Sequence, residues 1–290
     1  MKVLSKDKSN NNYDVSIPPA LKVASGEIFQ LETPSILTHP ERFPNTTVPV
    51  TGPIYVEGAK PGSTLKVDIL KVELTAGKGA IAVLPGKGAF GGRISEPTYK
   101  VVTYDDKYVY FNERIKVPIR PMVGKVGTSP LGKAINCHAV GPYGGNMDIT
   151  DIKEGTSVYL PVFAEGALLA CGDTHAAMGD GESCFSAVET ESSLTLRCQV
   201  IDDMKLVRPM VVTADEAMTV GDGRNLEEAY RAALDDMVEL ITAKIGLNYI
   251  DTIMLISIAA DVRINQIVNT VAMGVRVALP LSLLPPGCIP

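Results

Sequence analysis

The sequence contains no tryptophan, only three histidines, and five cysteines without a Cys-x-x-Cys pair. This cysteine usage argues against a disulfide framework and against a thiolate zinc site. The 33 acidic and 27 basic residues give a net charge of -6, and no basic run suggests a nucleic-acid partner. The longest apolar stretch, Thr252 to Ala260, is far shorter than the roughly 20 residues of a membrane span. Since the first 14 residues also lack a secretory signal, we expect a cytoplasmic protein with no membrane partner.

Glycine and proline, by contrast, are abundant, with 26 and 20 residues. This composition favours short elements joined by turns and predicts a mainly β fold. Apolar residues alternate from Leu65 to Ile69, and the pattern shifts by one residue from Leu70 to Leu74, which predicts a strand with a β-bulge. Residues 85 to 98 and 118 to 130 are predicted to be rich in turns, and the glycine spacing of the first stretch matches no nucleotide-binding loop.

The C-terminal part has a different pattern. Apolar residues between Leu226 and Ile245 recur at helical spacing. Asn225 suits the N-cap of this helix, and Gly246 suits the position past its end. The apolar run from Thr252 to Ala260 is interpreted as a core strand. Together these features predict a mainly β fold of the sandwich or barrel type with a smaller α/β lobe, α+β overall. We place a β-rich lobe with most of the active site at residues 1–205 and the α/β lobe at residues 206–290.

One segment concentrates groups that can do chemistry. Asp173, His175 and Glu182 lie within ten positions, directly after the apolar Ala167–Ala170 run, which is predicted to be a buried strand. Charges at the end of a buried strand lose hydration unless a cation compensates them. Residues two apart on a strand share a face, so Asp173 and His175 can grip one ion together. An imidazole with two or three carboxylates suits zinc, or calcium if oxygen ligands dominate.

Simpler interpretations remain open for several residues. Asp180 fits a surface turn that bonds its own backbone, and Glu189 fits either a ligand or base in place of Glu182 or a solvated strand end. His39 is expected in a loop. Asp261 and Arg263 share a strand face and suit an ion pair or the wall of a pocket.

A cysteine nucleophile is the alternative to a metal site, because Cys137 adjoins His138 and Cys171 precedes the acidic segment. Neighbouring residues on a strand point to opposite faces, however, so Cys137 and His138 are poorly placed to form a nucleophile and base pair.

Several motifs in order along the chain resemble the acetamidase/formamidase family. Without this resemblance, Gly141–Asp148 would be interpreted as a strand-linking loop with a glycine turn capped by a polar side chain. The motifs are Val50–Ala59 with Pro61-Gly62, Gly144–Asp148, Glu154–Thr156, Leu160–Val162, Gly172-Asp173, His175–Ala177, Gly179–Glu182 and Ala260–Asn269.

The resemblance implies a β-rich fold with a smaller α/β portion, a divalent metal, and hydrolysis of short amides such as formamide or acetamide. The sequence departs from the family pattern at Tyr143, where many relatives carry histidine. This departure bears on the choice of substrate.

The working hypothesis assigns a role to each residue of these motifs. Asp148, Asp173 and His175 are the expected metal ligands, and Glu182 is the expected proton carrier, although ligand and base are interchangeable among these carboxylates. Asn146 and the backbone at Gly145 are expected to donate hydrogen bonds to the oxyanion. Further residues expected in the substrate pocket are Tyr143, Glu189 and His138.

A non-catalytic alternative has the same acidic cluster. A β-sandwich that binds a metal or a carbohydrate needs no proton carrier, and an assay for released ammonia separates the two. A homodimer or larger closed oligomer is expected, with the apolar C-terminal strand and the Pro285-Pro286 tail as candidate contacts.

Overall fold

The computed structural model describes residues 1–35, 48–268 and 272–290, so His39 and Asn269 lie outside the described residues. The strands up to residue 127 are β1 (Lys2–Leu4), β2 (Ser9–Asn10), β3 (Asn12–Tyr13), β4 (Leu21–Val23), β5 (Ile28–Thr33), β6 (Val50–Val56), β7 (Thr64–Leu74), β8 (Lys78–Val83), β9 (Thr98–Tyr104), β10 (Tyr108–Tyr110), β11 (Lys116–Pro118) and β12 (Met122–Gly127). The later elements are β13 (Ile135–Asn136), β14 (Val140–Gly141), β15 (Gly144–Asn146), β16 (Thr156–Pro161), β17 (Leu169–His175), β18 (Glu189–Thr190), β19 (Ser192–Ile201), β20 (Met210–Val212), β21 (Glu216–Gly223), α1 (Leu226–Ile245), α2 (Tyr249–Ala259), β22 (Asp261–Gln266) and β23 (Met273–Pro280).

Two large sheets dominate the described residues. The first has the order β1-β5-β19-β7-β16-β20-β21-β23-β22. The second has the order β11-β10-β9-β8-β18-β17-β12-β15-β14, and β6 joins it beside β17 with β2 and β4 attached. The mainly β prediction is therefore confirmed.

A shared apolar core joins the two sheets. Phe29 and Val67 from the first sheet and Val123 and Leu169 from the second belong to one cluster of buried side chains. Interdigitation of inner faces is the packing of a β-sandwich. The middle strands of both sheets are thereby fixed against each other, and the second sheet carries β12 and β17.

The bulge predicted in the Leu65–Leu74 segment is confirmed. In the pairing of β7 with β19, Thr195 lies opposite Lys71 and Leu196 opposite Ile69, so Leu70 is the extra residue. Leu70 itself is exposed, and the buried pattern resumes at Val72.

Helix α1 spans the predicted residues, and its caps are the predicted ones. The side chain of Asn225 accepts a hydrogen bond from the backbone N–H of Glu228, and Gly246 adopts the left-handed conformation with φ of 79°. These caps satisfy backbone groups that the helix leaves unpaired at its two ends.

The buried face of α1 is only partly the predicted one. Leu226 and Tyr230 are exposed, whereas Ala229 and Ala233 are fully buried. A Cβ at Gly221 of β21 would lie 2.1 Å from the carbonyl oxygen of Ala229. The small residues therefore let the helix approach the sheet closely, which hydrophobic periodicity does not reveal.

The prediction of a core strand from Thr252 to Ala260 is wrong, since this segment belongs to α2. The side chain of Asn248 accepts a hydrogen bond from the backbone N–H of Asp251 and caps the helix. Only Thr252 and Ile256, four residues apart, are buried. A short apolar run fits a buried strand or a helix equally well by composition, and the cap decides between them.

The prediction that residues 118–130 form turns is also wrong, because β12 lies within them and is buried along its whole length. Strand β16 on one side of residue 205 pairs with β20 on the other. The division into lobes at this residue stays a prediction.

Among the described helices, neither α1 nor α2 alone is long and apolar enough to cross a membrane. The two pass the test of length and composition only as a pair bent by 113°.

We predict that Gly221→Ala destabilises the protein. The added methyl group would collide with the backbone of α1, and overpacking of this kind costs about 1–3 kcal/mol. Gly92→Ala is the matched control, because a Cβ at Gly92 would have nothing within 4 Å. Urea unfolding of both variants tests this, and equal midpoints would contradict it.

Candidate metal and catalytic site

Strand β17 places His175 in the interior of the second sheet. His175 lies opposite Met122 of β12 on one side and opposite Glu189 of β18 on the other. Its side chain is only 1% exposed. The imidazole therefore needs partners from the protein or from a bound group.

Asp148 reaches the same place through Gly124 of β12. The backbone N–H groups of Met147 and Asp148 both donate to the carbonyl oxygen of Gly124, at 3.1 Å each. A Cβ at Gly124 would lie 2.4 Å from Oδ1 of Asp148 and 3.1 Å from Oδ2 of Asp173. Because Gly124 has no side chain, the two carboxylates can occupy the space beside it.

Two groups of donor atoms meet at His175. Asp148, Asp173 and His175 each offer one atom within 4.8 Å of the other two, and so do His175, Glu182 and Glu189. The structure thus brings together the three residues predicted as metal ligands, the predicted proton carrier and its proposed substitute.

Buried polar atoms in this cluster lack hydrogen-bond partners among the described residues. Native proteins leave few such atoms, and each calls for an explanation. A divalent cation accepts lone pairs from oxygen and imidazole nitrogen, so the donor set fits one. The atoms are Oδ1 of Asn146, Oδ1 of Asp148 and Nδ1 of His175, while Nε2 of His175 and Oε2 of Glu189 contact each other at 3.2 Å.

The backbone is strained at three of the acidic residues. Asp148, Asp173 and Glu182 adopt positive φ angles of 46°, 60° and 42°. This left-handed region is unfavourable for residues with a side chain, and such strain concentrates at functional sites. Regular strand geometry would predict the shared face of Asp173 and His175 but not the strain at Asp173.

The sequence interpretation missed Lys125. Its Nζ lies 3.2 Å from Oδ2 of Asp173 and donates to the carbonyl oxygen of Val48 at 2.8 Å. The side chain is 2% exposed. A lysine inside the apolar run Met122–Gly127 was the available signal, because lysine is almost never fully buried without a partner.

Burial and mutual repulsion disfavour ionisation of two of the carboxyls. Burial raises the pKa of Asp148 to about 7, and the neighbouring charge of Asp173 adds to this. Burial and the charge of Asp148 raise the pKa of Glu182 well above its ordinary value. A carboxyl whose pKa is raised in this way suits an acid–base role.

Charge pairing dominates at the other members. Burial alone would raise the pKa of Asp173, but Lys125 and His175 lower it below the ordinary value. Burial alone would lower the pKa of His175, but Glu189 and Asp173 raise it well above the ordinary value. Nε2 of His175 lies 3.2 Å from Oε2 of Glu189 and 3.8 Å from Oδ1 of Asp173.

The Gly144–Asn146 segment is a strand rather than a turn. It pairs with β12 on one side and β14 on the other, with Gly145 opposite Val126 and Val140. A strand paired on both sides has fewer free backbone N–H groups than a turn. Asn146 lies opposite Lys125 and is buried beside the cluster.

Tyr143 lies outside the two donor groups. Its hydroxyl donates to the carbonyl oxygen of Ala139 at 3.0 Å, and its ring centre lies 5.3 Å from that of Tyr13. Both rings belong to a small apolar cluster with Cys137. The contacts of Tyr143 are those of a packing residue.

His138 also lies outside the donor groups. Its ring meets that of Phe185 edge to face, with centres 5.4 Å apart. Phe185 follows Glu182 by three residues, so His138 contacts the loop that carries Glu182.

Asp180 does not bond its own backbone as the turn interpretation expected. Its carboxylate accepts hydrogen bonds from Arg276 and from the hydroxyl of Thr150. Asp261 and Arg263 form the expected ion pair at 3.5 Å, while Arg263 also forms two shorter contacts with Glu216.

We predict that the protein stripped of divalent cations is less stable at pH 8 than at pH 5. The folded state binds a proton at Asp148 more tightly than the unfolded state, so this stability is lost as pH rises from about 4 to about 7, and the raised pKa of Glu182 acts in the same direction. The raised pKa of His175 acts in the same direction above about 6.5.

Asp148→Asn should therefore raise the unfolding free energy of the chelated protein at pH 7.5 by about 0.5–2 kcal/mol. Thermal unfolding against pH in excess chelator measures this, with the exposed Asp106→Asn as control. A chelated wild type that gains stability from pH 5 to pH 8 would refute the argument.

Comparison with known proteins identifies the family of this chain. The sequence profile of the Acetamidase/Formamidase family matches residues 137–284. A crystal structure of a predicted acetamidase/formamidase from Thermoanaerobacter tengcongensis shares 38% identity, covers 97% of this chain and 96% of its own, and has a TM-score of 0.93. An acetamidase structure from Bacillus halodurans shares 34% identity over 97% of both chains, with a TM-score of 0.92.

Curated relatives match over shorter segments. An acetamidase of Mycolicibacterium smegmatis is 41% identical over 59 residues, which are 20% of this chain and 14% of that protein. Alignments with curated relatives span only 14% to 18% of their lengths. The family profile covers half of this chain, and the two crystal structures match nearly all of it. The chain belongs to the acetamidase/formamidase family.

Proposed function

We propose that this protein is a metal-dependent amidohydrolase that cleaves short aliphatic amides, of the formamide or acetamide type, to a carboxylic acid and ammonia. The observation that carries the proposal is the buried cluster around His175, in which Oδ1 of Asp148 and Nδ1 of His175 lack hydrogen-bond partners among the described residues. Membership of the family supports the amide class. Which amide fits is left to the assay below.

Asp148, Asp173 and His175 are the proposed metal ligands. A mixed set of carboxylates and one imidazole favours zinc, and calcium is the alternative if oxygen ligands dominate. A bound divalent cation would supply Lewis acidity towards the amide carbonyl and towards water. Lys125 holds Asp173 in place at 3.2 Å and offsets part of the negative charge.

Glu182 is the proposed proton carrier, because its carboxyl lies close to His175 and Glu189 and burial raises its pKa. It takes a proton from water and delivers it to the departing nitrogen. The side-chain amide of Asn146 is proposed to donate to the oxygen that becomes negative, a contribution of about 3 kcal/mol. Gly145 contributes by its lack of a side chain, since a Cβ there would lie 2.4 Å from the carbonyl oxygen of Ala139.

A thiolate mechanism receives no support from the geometry. Cys171 lies in the core between the sheets, and burial raises the pKa of its thiol. Cys137 is fully buried, and its Sγ lies 3.5 Å from the carbonyl oxygen of Val48. A reactive thiol needs an accessible and electropositive place.

We predict that the zinc-loaded protein releases ammonia from at least one of formamide, acetamide and propionamide. His175→Ala should lose both zinc and turnover. Glu182→Gln should keep zinc within a few fold and lose turnover by about 10²–10⁴-fold, the usual contribution of a proton carrier. Ammonia release and zinc content of the dialysed proteins are the measurements.

Two results would count against the proposal. Full zinc occupancy and undiminished turnover in His175→Ala would remove the assigned ligand set. Zinc binding without ammonia from any amide would favour the alternative of a non-catalytic metal- or carbohydrate-binding sandwich.

We also propose that the protein is cytoplasmic and forms a homodimer or larger closed oligomer. Cys171, Cys184, Cys198 and Cys288 carry free thiols in the described part of the chain, which fits a reducing compartment. The outer face of α2 exposes Met254 by 61% and Ile258 by 84%, and the adjoining edge strand β22 exposes Val262. Large exposed apolar patches and open sheet edges are typical of interaction sites.

The charges on β22 are complementary to those on the same strand of a second copy of the chain. If two β22 strands pair antiparallel about a twofold axis at Val262, Asp261 of each copy lies opposite Arg263 of the other. Opposite charges across such a pair are favourable, and a twofold interface must be self-complementary in this way.

We predict that Ile258→Glu converts the assembly to monomers or weakens it at least tenfold, because two carboxylates would be buried in the contact. Ile115→Glu, at an exposed apolar residue between β10 and β11, is the control. Light scattering after size exclusion gives the masses. A wild type that is monomeric at a concentration of about 50 μM, or a variant with the same mass as wild type, would contradict this interface.

A further inference from the structure

Arg276 of β23 is a fully buried cation outside the donor groups. Its guanidinium donates from Nε to Oδ2 of Asp151 at 3.0 Å and from Nη1 to Oδ1 of Asn265 at 2.9 Å. From Nη2 it donates to Oδ2 and Oδ1 of Asp180, at 2.8 and 3.1 Å, and to Oγ1 of Thr150 at 3.3 Å. The side chain is only 2% exposed. The planar fork of arginine suits such fixed contacts, which lysine cannot reproduce.

These contacts connect the two segments that carry the site. Thr150 and Asp151 follow Asp148 closely, and Asp180 precedes Glu182 by two residues. The hydroxyl of Thr150 also donates to Oδ1 of Asp180 at 2.8 Å. Arg276 therefore clamps the Asp148 segment to the Glu182 segment.

The Glu182 segment is also hydrogen-bonded to β22, the edge strand of the first sheet. The backbone N–H of Gly181 donates to the carbonyl oxygen of Asn265 at 2.8 Å, and Gly181 forms an isolated bridge with Gln266 of β22. Asn265 in turn accepts from Arg276. The first sheet thus positions a loop whose functional side chain faces the second sheet.

The site needs such a clamp because its own charges separate the two segments. Asp148 and Glu182 belong to the two groups of carboxylates that meet at His175, and both residues have strained backbones. A buried ion pair adds little net stability, since removal of the charges from water offsets their attraction. What the Arg276 contacts do provide is fixed geometry, which a catalytic site requires within about 0.5 Å.

We infer that Arg276 is a positioning residue of the site: it holds the Asp148 and Glu182 segments at the separation at which both side chains act on one bound cation and substrate. This inference rests on the proposed amide hydrolysis. The geometry of the site then depends on β23, a strand that supplies none of the proposed metal ligands.

The chain contains a matched control for this role. Arg263 lies directly opposite Arg276 in the β22–β23 pairing. It binds Glu216 through both terminal nitrogens at 2.7 Å and reaches Asp151 at 3.8 Å. Its ion-pair partners within the described ranges are Glu216, Asp151 and Asp261, so it shares one partner with Arg276 and joins no segment to Glu182.

The test compares Arg276→Lys, Asp180→Asn and Arg263→Lys. Arg276→Lys should weaken zinc binding by about 10–100-fold, the usual effect of a lost partner behind a metal ligand. It should lower kcat by a similar factor with KM changed less than threefold. Asp180→Asn should show a smaller loss of the same kind, and Arg263→Lys should stay within twofold of wild type.

Hydrogen exchange distinguishes positioning from general stabilisation. Arg276→Lys should lose amide protection in residues 147–151 and 179–185 while β7 and β19 keep theirs. A variant with a lower melting temperature but wild-type zinc affinity, turnover and local protection would overturn the inference. If Arg276→Lys does not fold, Asp180→Asn decides, because its side chain is 39% exposed.

Failure of the proposed function gives a different result. A wild type that hydrolyses no amide refutes amide hydrolysis, whereas zinc affinity, measured with zinc alone by chelator competition, and hydrogen exchange still report on the clamp. Uniform zinc affinity and exchange across all variants would refute the clamp even in an active amidase.

Discussion

The central constraint in this protein is the crowding of four carboxylates around one buried imidazole. Asp148, Asp173, Glu182 and Glu189 all lie in the interior with His175, and Lys125 offsets a single charge. Like charges in a medium of low polarity repel strongly, so the arrangement is unfavourable without further positive charge. Much of the surrounding structure can be understood as the means of holding these groups together.

Three kinds of support oppose this repulsion. Gly124 provides room, because any side chain there would overlap the carboxylates of Asp148 and Asp173. The sandwich core provides rigidity behind β12 and β17. Arg276 provides a connection between the Asp148 loop and the Glu182 loop, which share no backbone hydrogen bond among the described residues. The strain at Asp148, Asp173 and Glu182 persists because these supports determine the backbone from several directions.

The sequence predicted the features that depend on local patterns. The caps and periodicity of α1 and the phase shift in β7 were visible in the chain, because backbone capping and strand pleating act over a few residues. The grouping of Asp173, His175 and Glu182 was visible because the residues are close in sequence. The family resemblance added Asp148, whose place beside them depends on the pairing of β12 with β15 and β17.

Other features depend on distant parts of the chain and could not be predicted in this way. Lys125 looked like part of a turn-rich stretch, because only burial of β12 reveals its pairing with Asp173. Arg276 lies about 100 residues from the loops it connects. The apolar run in α2 was assigned to a strand, since neither its length nor its composition separates a core strand from a helix with an exposed apolar face. The contacts of Tyr143 explain why a residue inside a recognised motif lies outside the donor groups.

Strand β17 has hydrogen-bonded neighbours in three other strands, β6, β12 and β18, and it ends at His175. A strand so thoroughly paired opens only when a large part of the sandwich opens with it. Local fluctuations therefore leave Asp173 and His175 in place, and the freedom that a reacting molecule needs for entry and exit must come from outside β17. Evolution of new specificities in this architecture can alter residues around the pocket while the anchoring strand stays fixed.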